Sequence, residues 1–332
     1  MFWQAGELTT IAAASSIEAG EFMALDFNTV KFLFWANRLG LSFGRTLTLG
    51  RQQFLCSRAD LGRLAEEFCF AGATSLEDSF RRTGQEPLYA EGFLKYAGAE
   101  EMVSADYSAF EGANLVHDLN RPFPDHWHGH FDFVLDAGTL EHIFNYPAAL
   151  VHCLETVRPQ GHFVTITPAN NFMGHGFYQF SPELFFRVFS EENGFVLKKI
   201  ILHDMFKTDA VFYEVKDPAI TGLRTELLCS RPMVLLVLAQ RITERPLILQ
   251  PPLQSDYVAV WKRAETTVPA AGAAAGVLSQ LRSKLQPHWP QWLRRRKQAF
   301  VYRRIHGRPN LGNQRHFRAI CREELREPRR PE

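Results

Sequence analysis

Three aspartates each close a short apolar run: Asp106 ends "MVSAD", Asp118 ends "NLVHD" and Asp136 ends "FDFVLD". A carboxylate accepts hydrogen bonds from a pair of hydroxyls or faces a cation, so three in such positions carry chemical content. Aspartate also punctuates turns for purely local reasons, which is the plain structural alternative. Glu141 and His142 follow the third aspartate closely, a carboxylate and an imidazole of the kind that relieves a nucleophile of its proton. In "NNFMGHGFYQFSPE" (170–183), His175 stands between Gly174 and Gly176, with Tyr178 and Gln179 just beyond, a composition that suits a mobile cover over substrate. Packing of His142 within its own helix, and of the aromatics in a core, are the alternatives to a catalytic role. The stretch "RTLTLGRQQF" (45–54) places Gly50 before Arg51, Gln52 and Gln53, a turn with one glycine. His126, His128 and His130 alternate in "DHWHGH"; on a strand they would share one face and hold zinc or nickel. They precede a strand in a connecting loop and no fourth ligand is evident, so no metal is expected.

The elements that position these groups follow from hydrophobic pattern. "TLTLG" (46–50), "MVSAD" (102–106), "NLVHD" (114–118), "FDFVLD" (131–136) and "GHFVTITP" (161–168) read as buried strands, and "FVLKKIILHD" (195–204) and "PMVLLVLAQRI" (232–242) bring the count to seven. Helical stretches lie at 26–39, 58–70, 148–157 and 181–193, the last opened by Ser181 and Pro182 and closed by Gly194. Strands alternating with helices imply an α/β fold: a Rossmann-like, seven-stranded, mostly parallel sheet with helices on both faces. In such a sheet ligands bind beyond the carboxyl ends of the strands, where Gly50-Arg51-Gln52, Asp106-Tyr107, Asp118-Leu119 and Asp136-Ala137-Gly138 fall.

The chain of 332 residues is 46% hydrophobic, enough for one large domain, or one domain with an appendage. No long uncharged apolar run and no basic leader is present, so a cytoplasmic location is expected. Cys56, Cys69, Cys153, Cys229 and Cys321 form no C-x-x-C pair and read as reduced core thiols. The net charge of +1 hides an asymmetry: residues 276–332 hold 15 Arg/Lys against four Glu, and residues 1–275 hold 22 basic against 32 acidic residues. The reading is a helical lead-in over 1–44, a domain over 45–265, a linker "TTVPAAGAAAG" over 266–276 and a basic, helical C-terminal tail over 277–332. Within the tail, "HWPQWLRRRKQAFVYRRI" has the spacing of an amphipathic helix. It has three prospective partners: the acidic body of the chain, an anionic membrane surface met peripherally, and nucleic acid, for which no recognition module is evident.

The middle of the chain resembles a class I S-adenosylmethionine-dependent methyltransferase of the broad type 11 kind. The residues that carry the resemblance are Phe131-Asp-Phe-Val-Leu-Asp-Ala-Gly-Thr-Leu-Glu-His-Ile-Phe-Asn145, the helix and strand "PAALVHCLETVRPQGHFVTITP", and "SPELFFRVFSEENGF". It spans roughly 45–260 and departs in two places: Gln160 stands for the first glycine of a Pro-Gly-Gly turn, and Arg51 to Gln53 replace most of the glycine-rich loop. The resemblance implies S-adenosylmethionine as cofactor, with Asp106 on its ribose and Tyr107 beside it, Asp118 and Leu119 against its adenine, and Asp136, Ala137 and Gly138 along its methionine end. Gly50 would make the turn, with Arg51 reaching the methionine carboxylate and Gln52 bonding nearby. The implied activity is methyl transfer to oxygen or nitrogen of a small-molecule or conjugated substrate, with His175, Tyr178, His142 and Glu141 as catalytic candidates. The alternative is a methyltransferase-like binding or scaffold module that no longer binds the cofactor.

Overall fold

The structure, a computed structural model, describes residues 24–80, 89–244, 247, 251–266, 296 and 310–327. It divides into two compact units between Thr167 and Pro168.

The first unit holds strands β1 (Arg45–Leu49), β2 (Glu101–Asp106), β3 (Leu115–Val116), β4 (Phe131–Ala137) and β5 (Val157–Asn170). They run in the order β3-β2-β1-β4-β5, every pair parallel. From β1 the chain steps outward through β2 to β3, then returns to the other side of β1 for β4 and β5. This reversal creates a switch point between β1 and β4, with all carboxyl ends on one edge. Helices α1 (Phe27–Arg38), α2 (Arg58–Glu67), α3 (Leu76–Ser79), α4 (Glu91–Ala97) and α5 (Tyr146–Thr156) complete the unit. Asp26 caps α1 by accepting from the Thr29 amide at 2.8 Å. That helix is buried from Phe27 to Ala36, taking Asn28, Thr29 and Lys31 into the interior along with its apolar residues. Its Phe34 stacks on Phe70 with centroids 4.4 Å apart, and Phe43 meets Phe133 of β4 edge-on at 5.5 Å, so aromatic packing fixes the helix layer to the sheet.

The second unit holds β6 (Phe195–Asp204), β7 (Tyr213–Val215), β8 (Met233–Arg241) and β9 (Phe317–Ala319) in the order β8-β6-β7-β9, paired antiparallel. Helices α6 (Pro182–Val188), α7 (Pro218–Thr221), α8 (Ser255–Thr266) and α9 (Arg322–Arg326) accompany them. Ser181 caps α6 through the Glu183 amide, as its position before Pro182 predicts.

The fold is of the α/β, Rossmann-like class, and all seven expected strands are present. Two short strands, β7 and β9, raise the count to nine among the described residues. Three residues give too little pattern to be read from sequence. β9 lies within the segment read as a basic tail: Phe317 and Leu325 are buried, and Arg318 binds Glu214 of β7 and Glu324 of α9. The amphipathic stretch 288–305 lies, apart from Arg296, outside the described residues. The thiols are not uniformly in the core, since Cys56 and Cys153 are buried while Cys69 and Cys321 are exposed. Among the described residues no helix is long and apolar enough to cross a membrane.

Candidate functional site

The first unit contains a cavity of about 490 Å³ at the switch point, within the range usual for a small-molecule site. It is lined from the ends of successive strands. The turn after β1 supplies Gly50, Arg51, Gln52 and Gln53; β2 and its loop supply Asp106, Tyr107 and Glu111; the segment after β3 supplies His117 to Asn120; and the turn after β4 supplies Ala137, Gly138, Thr139, His142 and Ile143.

Gly50 is where these strands converge. Its amide donates to the Ala105 carbonyl at 2.7 Å, and its φ of +74° lies in the left-handed region. A Cβ there would stand 2.9 Å from Thr139 Oγ1 and 3.8 Å from Asp106 Oδ2, so both conformation and space require glycine. Thr139 Oγ1 donates to the Leu49 carbonyl at 2.6 Å, and the Gln52 amide donates to that carbonyl as well. Gln52, 6% exposed, therefore spends its side chain on the end of β1, bracing the turn that a run of glycines would otherwise leave open.

Asp106 uses one oxygen, Oδ1, to accept from the Ser108 amide at 3.1 Å. Among the described residues Oδ2 has no hydrogen-bond partner, and it faces Gly50. Tyr107 beside it is 77% exposed at the cavity wall. Burial, and then the neighbouring Asp106 charge, push the Glu111 carboxyl above its ordinary pKa. Asp118 takes two bonds from Asn120, at 3.0 Å from the backbone amide and 2.8 Å from the side chain, which hold its pKa below the ordinary value. Leu119, almost fully buried, gives the same wall an apolar patch.

Arg51 is committed within the protein. Its Nε donates to Glu91 of α4 at 2.6 Å, Nη1 to the Glu111 carbonyl at 2.8 Å, and the guanidinium lies 3.9 Å from the Tyr89 ring centroid. Asp136 is likewise engaged and is absent from the lining. It is buried at the end of β4, accepting from the Thr139 and Leu140 amides at 3.1 Å each and from Thr165 Oγ1 at 2.7 Å. It thereby caps the short 3-10 turn Leu140–His142. Burial and the Glu141 charge push its pKa up to about 7. Of the acid–base pair, Glu141 is wholly buried and His142 is exposed and lines the cavity.

His175 and Tyr178 belong to the second unit. There the His175 amide donates to the Phe172 carbonyl, and Gln179 Oε1 accepts from the Phe172 amide at 2.7 Å, which closes the loop on itself. The three alternating histidines do not share a strand face. Asp125–Trp127 form a 3-10 turn, His126 meets the Trp127 ring edge-on, and His130 pairs with Glu101 at 3.1 Å.

Sequence reasoning missed Glu111, His117 and Thr139 as lining residues. Thr139 directly follows the Ala137-Gly138 pair, and its hydroxyl was readable only as a turn residue; Glu111 sits in a loop without pattern.

No protein-family model matches the chain, and no curated protein matches it. Among solved structures it is similar to the Burkholderia thailandensis 1,6-didemethyltoxoflavin-N1-methyltransferase, solved with bound 1,6-didemethyltoxoflavin and S-adenosylhomocysteine, at 13% identity and a TM-score of 0.35 over 71% of this chain and 83% of that one. It is similar to the Thermus thermophilus branched-chain polyamine synthase, solved with N4-aminopropylspermidine and 5'-methylthioadenosine, at 16% identity and 0.34 over 69% and 60%. A third is the YcgJ protein of Bacillus subtilis, at 10% identity and 0.34 over 65% and 99%. With likenesses this low, the fold rests on strand order and the site on its own geometry.

Proposed function

We propose that the chain is a methyltransferase that binds S-adenosylmethionine in the switch-point cavity and transfers its methyl group to oxygen or nitrogen of a small-molecule or conjugated acceptor. One observation carries this reading: Asp106 at the end of β2 presents a hydrogen-bond-free oxygen to the space beside Gly50, where a Cβ would stand 3.8 Å from it. A carboxylate so placed suits two vicinal hydroxyls of a ribose. Leu119 and Asp118 offer an apolar face and an acceptor for a base, and Ala137-Gly138 a narrow path at the end of β4. Asp106, Glu111 and Asp118 make the lining acidic, while the charge of Arg51 is paired with Glu91. That balance suits a cationic nucleoside and disfavours the phosphates of a nucleotide.

Bound there, the cofactor supplies a methyl group on a sulfonium. The chain's own part is mainly positioning, because an in-line displacement gains most from alignment. His142, exposed at the cavity, is the residue placed to take a proton from an acceptor that carries one. His175 and Tyr178 remain acceptor-side candidates on the composition of their loop.

Calorimetric titration with S-adenosylhomocysteine tests the reading. Binding by the wild type, weakened by about 2–3 kcal/mol in Asp106→Ala, is expected from the loss of charge-assisted hydrogen bonds. No measurable binding at millimolar ligand overturns it and leaves a scaffold module, the reading favoured by the side chains of Arg51 and Gln52 standing where the resemblance implies glycine.

A further inference from the structure

We propose that Arg51 is a positioning residue: a strut that orders the 107–113 wall of the cavity and thereby sets its affinity for the cofactor, a role that rests on the methyltransferase reading for its ligand. Three separate segments meet on this guanidinium. It leaves the turn after β1, pairs with Glu91 at the start of α4 at 2.6 Å, lies over Tyr89 at 3.9 Å, and holds the Glu111 carbonyl at 2.8 Å. The backbone around it is shaped for the contact. Gly112 has a φ of +80°, and a Cβ on it would stand 2.8 Å from Arg51 Nη1, so glycine is the residue that lets the guanidinium reach the neighbouring Glu111 carbonyl. On the other side, the Ala90 amide donates to the Gln52 carbonyl at 2.9 Å, which ties the same turn to the start of α4.

The wall so held is the one that matters for binding. Residues 107–111 connect Asp106, Tyr107 and Glu111, all of which line the cavity, yet the segment has little packing of its own. Tyr107 is 77% and Phe110 94% exposed, and the segment's own hydrogen bonds are short turns: the Ser108 amide to Asp106, the Phe110 amide to Ser108 Oγ and the Gly112 amide to the Ala109 carbonyl. A segment with so few buried contacts opens readily unless something outside it holds it. Arg51 is that outside tie, and its planar fork is needed because Nε and Nη1 engage two acceptors on different segments at once. A lysine presents a single point charge and cannot span both.

Hydrogen exchange and calorimetry together test this on the full chain. In ligand-free Arg51→Ala the amides of 107–113 are expected to exchange at least about tenfold faster, with S-adenosylhomocysteine bound about tenfold more weakly. Gly112→Ala, which pushes on the guanidinium, and Glu91→Gln, which keeps an acceptor but removes the charge, are expected to act in the same direction. Arg51→Lys should behave like Arg51→Ala in exchange. Unchanged exchange at 107–113 overturns the strut; weaker binding with unchanged exchange overturns it too, and makes Arg51 a direct ligand contact. A wild type that fails to bind S-adenosylhomocysteine, while Arg51→Ala still accelerates exchange, sinks the methyltransferase reading and the ligand half of this proposal, and leaves the strut.

Discussion

Asp136 accepts three hydrogen bonds yet holds its proton to about pH 7, because burial and Glu141 outweigh the Thr165, Leu140 and Thr139 donors. Tyr146 and Cys153 of α5 also face it, and burial keeps both of those groups protonated. The unfolded chain releases this proton near the ordinary aspartate pKa of about 3.9. The folded state thus binds the proton more tightly, so the contribution to stability is fully present below about pH 4 and is lost as pH rises through 7. Asp136→Asn keeps an acceptor for the Thr139 and Leu140 amides and removes the titration. Urea midpoints at pH 5, 6, 7 and 8 should show the wild type losing ground to the variant up to pH 7 and levelling off towards pH 8; a constant difference across that range would rule out Asp136 as the titrating group. Substitution of the cavity-facing Asp106 reads on ligand affinity instead.

At the scale of elements, the entry into β5 carries a residue in an unfavourable conformation. Gln160 has a φ of +65°, at the position where the resemblance implies the first glycine of a Pro-Gly-Gly turn. A side chain in the left-handed region costs roughly 1–2 kcal/mol, of which the extra backbone freedom of glycine in the unfolded chain gives back part. Gln160→Gly is therefore expected to stabilise the protein by about 0.5–1 kcal/mol, seen as a higher denaturant midpoint at unchanged slope. An equal or lower midpoint would mean that the glutamine's own contacts offset the strain. The same reasoning, with the sign reversed, applies to Gly50: its φ and the nearby Thr139 hydroxyl make Gly50→Ala destabilising by about 1–3 kcal/mol.

On the scale of the whole molecule, the chain's last described segment is part of a sheet and not a free appendage. β9 extends β7, and Leu311, Phe317, Ile320 and Leu325 are buried. Fully burying a large apolar side chain contributes about 1.5–3 kcal/mol each, an upper bound here. Removing residues 310–332 is therefore expected to destabilise the second unit by several kcal/mol, visible as a lower first transition on heating. S-adenosylhomocysteine affinity should stay as in the full chain, because every lining residue falls between Ala24 and Ile143. Loss of binding in a truncated protein that still melts normally would show that the cavity in the first unit does not hold the ligand alone.

The class of fold, and the sheet edge that collects the strand-end residues, are legible in local pattern. Runs such as "TLTLG" and "FDFVLD" are β-branched and aromatic enough to be read as strands, and Ser181 before Pro182 is a cap that acts within a few residues of itself. Tertiary structure alone decided which strand-end carboxylate faces the cavity. Asp106 and Asp136 look alike in sequence, each closing an apolar run, but the turn after β4 folds its amides back over Asp136 while β2 leaves Asp106 with one oxygen open. It also decided the fate of Arg51. Its partners Glu91 and Glu111 lie 40 and 60 residues away along the chain, and no local pattern records a contact that only the parallel pairing of β1 with β2 brings into reach.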